Sequence, residues 1–170
     1  TALVERLVEG QFPHWAGLPI ARVASDGTDN AIFRLGDDMA VRLPRHPGAA
    51  RQVEKEQRWL PRLASHLPLP VPVPLGQGVA GKGYPYRWSV CRWLEGEDAL
   101  RAGTVDLQQA AVDLAGFIAA LRTIDPSEGP PPGAHNFGRG APLAERDGRV
   151  GAQPLLFSEQ EMLLFLLRKQ

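Results

Sequence analysis

Apolar residues recur first at helical spacing, then at strand spacing, and return to helical spacing in the second half of the chain. Leu3 and Leu7, one turn apart within residues 2–9, predict a short amphipathic helix closed by Gly10 and Pro13. Ile20 to Ala24, Ala31 to Leu35 and Met39 to Leu43 read as strands. The polar turn Ser25 to Asn30 and the turn Gly36-Asp37-Asp38 separate them, which makes an antiparallel meander. Residues 49–67 are helical in period. Val53, Leu60, Ala64 and Leu67 share one face, and Glu54, Arg58 and Arg62 form a solvated stripe. Pro61 inside this helix predicts a kink. Residues 67–75 alternate Pro with Leu or Val and read as extended, 76–86 as a hairpin tip, and 87–94 as an aromatic-rich strand. Helical spacing is clearest over 104–124, where Leu107, Ala111, Leu114, Ile118 and Leu121 fall on one face. Residues 127–149 are loop-like. A tail helix is expected over 158–168, with Ser158 and Glu161 at capping-box spacing and an interior apolar nearly all round.

This order predicts an α+β fold in two parts. Residues 1–96 form an antiparallel sheet with one packed helix. Residues 97–170 begin a helical region made of the 104–124 helix, a loop over 125–150 and the tail helix.

Composition changes this picture little. Lys plus Arg and Asp plus Glu are each 19, so there is no basic excess to neutralise a nucleic-acid backbone. The longest apolar run, Met162 to Leu167, is far below the roughly 20 residues of a membrane span. The single cysteine, Cys91, permits no internal disulfide, and with no leader pattern this predicts a reducing cytoplasm.

Some candidate motifs fail on context. Gly76-Gln77-Gly78-Val79-Ala80-Gly81 fits G-x-G-x-x-G but opens no helix, and Gly81-Lys82-Gly83 is no P-loop. The four histidines are scattered, so no zinc-ligand spacing exists. Cys91 reads as a small buried strand residue rather than a nucleophile.

Four features do occur in a telling order. The polar turn that includes Thr28 and Asn30 offers backbone N–H groups to an anion. On the strand Ala40-Val41-Arg42-Leu43-Pro44, Arg42 points opposite to Val41 and Leu43. The following helix carries Glu56 on the same face as Leu60 and Leu63, where a carboxylate needs a partner, and Arg42 is the natural one. A strand then ends in Ser89-Val90-Cys91-Arg92-Trp93-Leu94-Glu95-Gly96 before the helical region. Taken singly each has an ordinary reading: Arg42 as a surface arginine, Glu56 as a rim residue, Thr28, Asp29 and Asn30 as turn formers. The shared order is what points to a kinase-like nucleotide site.

The wording of these segments extends that reading. The string Gly27 to Gly36, Val41-Arg42-Leu43-Pro44-Arg45, Glu56 to Leu63, Gly83-Tyr84-Pro85, Trp93 to Glu97 and His135 to Gly140 together resemble the opening of bacterial aminoglycoside phosphotransferases, from about Leu18 to Arg149. The resemblance implies a protein-kinase-like N-terminal lobe followed by the first helices of a truncated C-terminal lobe. It implies transfer of the γ-phosphoryl group of ATP or GTP, with Mg2+, to a hydroxyl of a small molecule. It would place Arg42 on the α/β-phosphates, Glu56 as its ion-pair partner, Thr28 and Asn30 in the loop over the phosphates, and Cys91 to Trp93 at the adenine hinge.

The chain departs from the pattern at its end. The family's catalytic His-Gly-Asp has no counterpart. His14, His46, His66 and His135 are followed two residues on by Ala16, Gly48, Pro68 and Phe137. No catalytic residue and no metal ligand can therefore be assigned, and the expectation is nucleotide binding without transfer. The small hydroxylated substrate is then expected only in a full-length relative. The apolar tail, residues 155–168, has two readings left open: it folds back on the 104–124 helix, or it joins two copies of the chain.

Overall fold

The computed structural model describes residues 1–25, 27–97, 102, 106–129, 131–133 and 141–142. Helix α1 spans Ala2–Gln11, running through Gly10, and leads into a 3-10 turn at Pro13–Trp15. Three strands follow, β1 (Ile20–Arg22), β2 (Asn30–Leu35) and β3 (Met39–Pro44), then helix α2 (Pro47–Ala64). Strands β4 (Pro74–Gly78) and β5 (Trp88–Arg92) complete the sheet, and helix α3 spans Leu107–Thr123. By contacts, Thr1–Glu97 and Val105–Ile124 form one compact unit, and Asp98–Thr104 with Asp125–Gln170 form another. No helix among the described residues is long and apolar enough to cross a membrane. The expected tail helix lies outside the described residues.

The sheet has five strands, all antiparallel, in the order β1-β2-β3-β5-β4. Strand alternation gives it two faces of different chemistry. On one face Phe33, Leu35, Met39, Val41, Leu43, Trp88 and Val90 pack with Val4, Leu7 and Val8 of α1 into the core. Trp88, Leu7, Leu35 and Val41 are fully buried, each worth about 1.5–3 kcal/mol of transfer free energy. The other face carries Ile32, Arg34, Ala40, Arg42, Ser89 and Cys91, and α2 packs beside it against β3, β4 and β5.

The element ends differ from expectation for local reasons. α2 begins two residues earlier, at Pro47, because His46 caps it. The His46 Nδ1 accepts from Ala49 N–H at 3.3 Å, and proline at the first helical position has no N–H to lose. Pro61 does not end the helix, which continues to Ala64. α3 begins at Leu107 because the Asp106 carboxylate accepts from the N–H groups of Gln108 and Gln109, both at 3.0 Å. Gly76 to Gly78, expected at a hairpin tip, belong to β4. The turn itself is Lys82-Gly83, where both residues have positive φ (52° and 85°) and Gly81 and Tyr84 exchange both backbone hydrogen bonds. That pair of positive φ values matches the twist of a tight hairpin, so Gly81-Lys82-Gly83 is turn chemistry.

The glycines of the G-x-G-x-x-G string answer to packing. A Cβ at Gly76 would meet Phe12 Cε1 at 2.8 Å, and one at Gly78 would meet Trp88 Cε2 at 2.0 Å. Gly76 and Gly78 are glycine because aromatic rings lie across β4, while Gly81, whose Cβ would come only within 3.4 Å of Gln11, opens the Lys82-Gly83 turn.

Candidate nucleotide site

The mixed face of the sheet brings together residues from three strands and one helix. Arg42, central on β3, lies opposite Ile32 on β2 and Ser89 on β5. Two residues back on the same face, Ala40 lies opposite Arg34 and Cys91. Ala40, Ser89 and Cys91 are buried, while Arg42 and Glu56 keep 23% and 29% of their side chains exposed. A cation is thus set into a small-residue wall without being sealed off.

Arg42 Nη1 donates to Glu56 Oε2 at 2.8 Å. The strand period turns Arg42 to the α2 side and the helix period puts Glu56 on the packed face, so this ion pair follows from two local rules meeting. Gln57, next on the helix, donates to the Gly76 carbonyl at 3.2 Å and ties α2 to β4. Burial pushes the Cys91 thiol up, with the Arg42 guanidinium pulling against it, and Cys91 Sγ faces the Ala40 carbonyl at 3.7 Å. A raised pKa and 4% exposure make Cys91 a packing residue of the wall.

At the β2 end of this face lies the loop between β1 and β2. Thr28 Oγ1 donates to Asp29 Oδ1 at 3.3 Å, and the Gly27 N–H is taken by Ser25 Oγ at 3.1 Å. Asp29 faces His46 Nε2 at 3.1 Å, and its carbonyl accepts from Arg45 N–H at 2.8 Å. The loop is therefore tied to the β3–α2 connection, close to where Arg42 sits. Asn30 is the first residue of β2, opposite Pro44, rather than part of the turn. Thr28 and Asn30 both lie at this end of the sheet.

At the opposite end the chain leaves β5. The N–H groups of Arg92 and Trp93 are engaged inside the fold, on the carbonyls of Val73 and Asp38, both at 2.8 Å. Cys91 is part of the β3–β5 ladder, facing Ala40. Of the expected hinge residues, Cys91 lines the wall through its side chain, and Trp93 contributes its ring at the edge. Among the described residues no group of three or more His, Cys, Asp or Glu could hold a metal ion, so these residues alone do not fit a resident Mg2+.

Sequence reasoning selected Arg42 and Glu56 but passed over Ile32, Arg34 and Ala40. Ala40 was within reach, two residues from Arg42 on one strand. The placing of Ile32, Arg34 and Ser89 needed the strand register.

Comparison with known proteins agrees with the fold described above. The model of the phosphotransferase enzyme family matches residues 20–169, twenty residues beyond the Arg149 limit read from the sequence. No curated protein sequence matches the chain. Among solved structures, the GDP and kanamycin complex of APH(2")-IIia is similar at a TM-score of 0.66 and 20% identity, over 99% of this chain and 58% of that one. The GDP complex of wild-type aminoglycoside 2'-phosphotransferase-IIIa follows at 0.65 and 19%, over 96% and 56%. The apoenzyme of macrolide 2'-phosphotransferase MphH from Brachybacterium faecium is similar at 0.57 and 25%, over 89% and 54%. The chain spans little more than half the length of these proteins. Their fold is the α+β, kinase-like arrangement described above.

Proposed function

The chain belongs to the phosphotransferase enzyme family, and from that premise we propose that residues 1–96 are the ATP- or GTP-binding lobe of a small-molecule kinase, with 97–170 belonging to its substrate lobe. The observation that carries this reading is the 2.8 Å Arg42–Glu56 ion pair on the open, mixed face of the sheet. A carboxylate that holds a guanidinium over a small-residue wall keeps a cation in place for phosphate oxygens while an apolar base lies along Ile32 and Ala40. Arg42 would contact the α- and β-phosphates, with Glu56 fixing its direction. Thr28 and the adjoining backbone would close over the phosphates. Because Trp93 N–H is already committed to Asp38, the base edge would meet backbone beyond it, at Leu94.

The acceptor would be a hydroxyl of a small molecule such as an aminoglycoside or a macrolide, which would make the whole enzyme a cytoplasmic antibiotic-modifying kinase. These 170 residues contain no His-x-Asp, so the chain by itself would bind nucleotide without transferring phosphate. A fluorescent ATP analogue tests the reading: it should bind, ATP or GTP should displace it, and no labelled phosphate should reach kanamycin or a macrolide. Failure to bind this analogue and a fluorescent GTP analogue alike would remove the site.

A second reading rests on α3. Leu107, Leu114 and Ile118 are 56%, 43% and 49% exposed, an apolar face that association of two chains would bury. The residues expected to take part, 155–168, lie outside the described ones. A sedimentation mass that rises with concentration would favour this reading.

A further inference from the structure

Arg34 is the most heavily engaged side chain at the exit from β5, and neither the sequence pattern nor the family match assigns it a role. Its guanidinium lies 4.3 Å from the centre of the Trp93 ring. Its Nη2 donates to Glu95 Oε1 at 2.8 Å and also to the Asp37 carbonyl. Trp93 N–H, in turn, donates to the Asp38 carbonyl. One cation therefore joins β2, the β2–β3 turn and the segment that follows β5. The Arg34 side chain is 27% exposed and that of Glu95 is 79% exposed, so the cation is half-buried while the carboxylate stands largely in solvent. It also stands directly opposite Ala40, at the end of the mixed face away from the loop over the phosphates.

We infer that Arg34, with Trp93 and Glu95, is a positioning clamp that fixes the backbone at Leu94 for the nucleotide base. This rests on the nucleotide site proposed above. A free strand end would lose conformational entropy each time it met a base. A strand end held by a stacked guanidinium and a carboxylate has that order built in. Lysine would keep the charge toward Glu95 but lose the flat surface that lies on Trp93. The clamp touches the base end only, so its loss should weaken a nucleoside and its triphosphate by the same factor. Arg42 acts at the other end, so its loss should weaken the triphosphate alone.

The test is titration of a nucleoside and its Mg-triphosphate, adenosine with Mg-ATP and guanosine with Mg-GTP, into the wild-type chain, Arg34→Met, Arg34→Lys, Glu95→Gln and Arg42→Ala, with a thermal melt of each. For Arg34→Met the expected result is a rise of roughly three- to tenfold in the dissociation constants of both ligands of whichever pair binds, measured well below the melting temperature. Arg34→Lys and Glu95→Gln should fall between wild type and Arg34→Met. Unchanged affinities in folded Arg34→Met overturn the clamp, as does a loss confined to the Mg-triphosphate, which would make Arg34 a phosphate ligand. If Arg34→Met does not fold, Glu95→Gln decides by the same two readouts. Wild-type binding that depends on Arg42 but not on Arg34 leaves the nucleotide site standing and removes the clamp. Absence of wild-type binding removes both.

Discussion

Replacing Arg42 by Met or Glu56 by Leu should each destabilise the chain, and replacing both should cost much less than the sum. At an N–O distance of 2.8 Å and an effective dielectric of about 20, the gross attraction is about 6 kcal/mol. Desolvation offsets most of it, because each side chain has lost more than two thirds of its exposure. A net contribution of about 1–2 kcal/mol remains. Either single change also leaves the other charge half-dry and unpaired, so each should cost about 2 kcal/mol. In the double variant, Arg42→Met with Glu56→Leu, two apolar side chains would replace the pair beside Leu60 and Leu63, and no charge would be stranded. Urea unfolding at about 25 °C, followed by tryptophan emission, gives all four stabilities. The expected coupling energy is about 1 kcal/mol or more. Single costs that add to within about 0.5 kcal/mol would refute the idea that the two residues act as a unit.

Gly78→Ala should lower the melting temperature sharply, since its Cβ would fall 2.0 Å from the indole of fully buried Trp88. A cost of about 3 kcal/mol is expected, and a neutral result in a thermal melt would contradict the packing account of that glycine. The Glu95 carboxyl is held below the usual carboxylate range, by the Arg34 guanidinium first. A depressed folded-state pKa means that its contribution is fully present above the unfolded carboxylate value and is lost as pH falls through the folded one. Melting temperature should therefore fall as pH drops through and below the ordinary carboxylate range, by a small amount for so exposed a carboxylate. Glu95→Gln should flatten part of that profile, and an identical profile in the variant would argue against the Arg34–Glu95 pair.

The features legible in the sequence are those set by local period. Alternation around Arg42 fixed its face, the helical repeat fixed that of Glu56, and the two were close enough in the chain to be paired without a topology. What escaped depends on the long return of the chain. β5 inserts between β3 and β4, and no local pattern announces that order. Arg34 and Glu95 are 61 residues apart, and they meet only because β5 lies beside β3 and brings the chain after it back to β2. The same insertion engages the N–H of Trp93 on the Asp38 carbonyl, a contact that no local pattern at residues 91–93 announces. The helix starts were misplaced where a single side chain decides, at His46 and Asp106, because either cap is indistinguishable from an ordinary loop residue until its N–H partners are in place.

The central claim is that a nucleotide sits on the mixed face of the sheet with its phosphates at Arg42. Isothermal titration of Mg-ATP and Mg-GTP into the chain, beside Arg42→Ala, tests it most directly. The account predicts binding of at least one of them, weakened about ten- to a hundredfold when Arg42 is lost, as for a charge-assisted contact. No heat up to millimolar nucleotide, or an affinity that Arg42→Ala leaves unchanged, would contradict it.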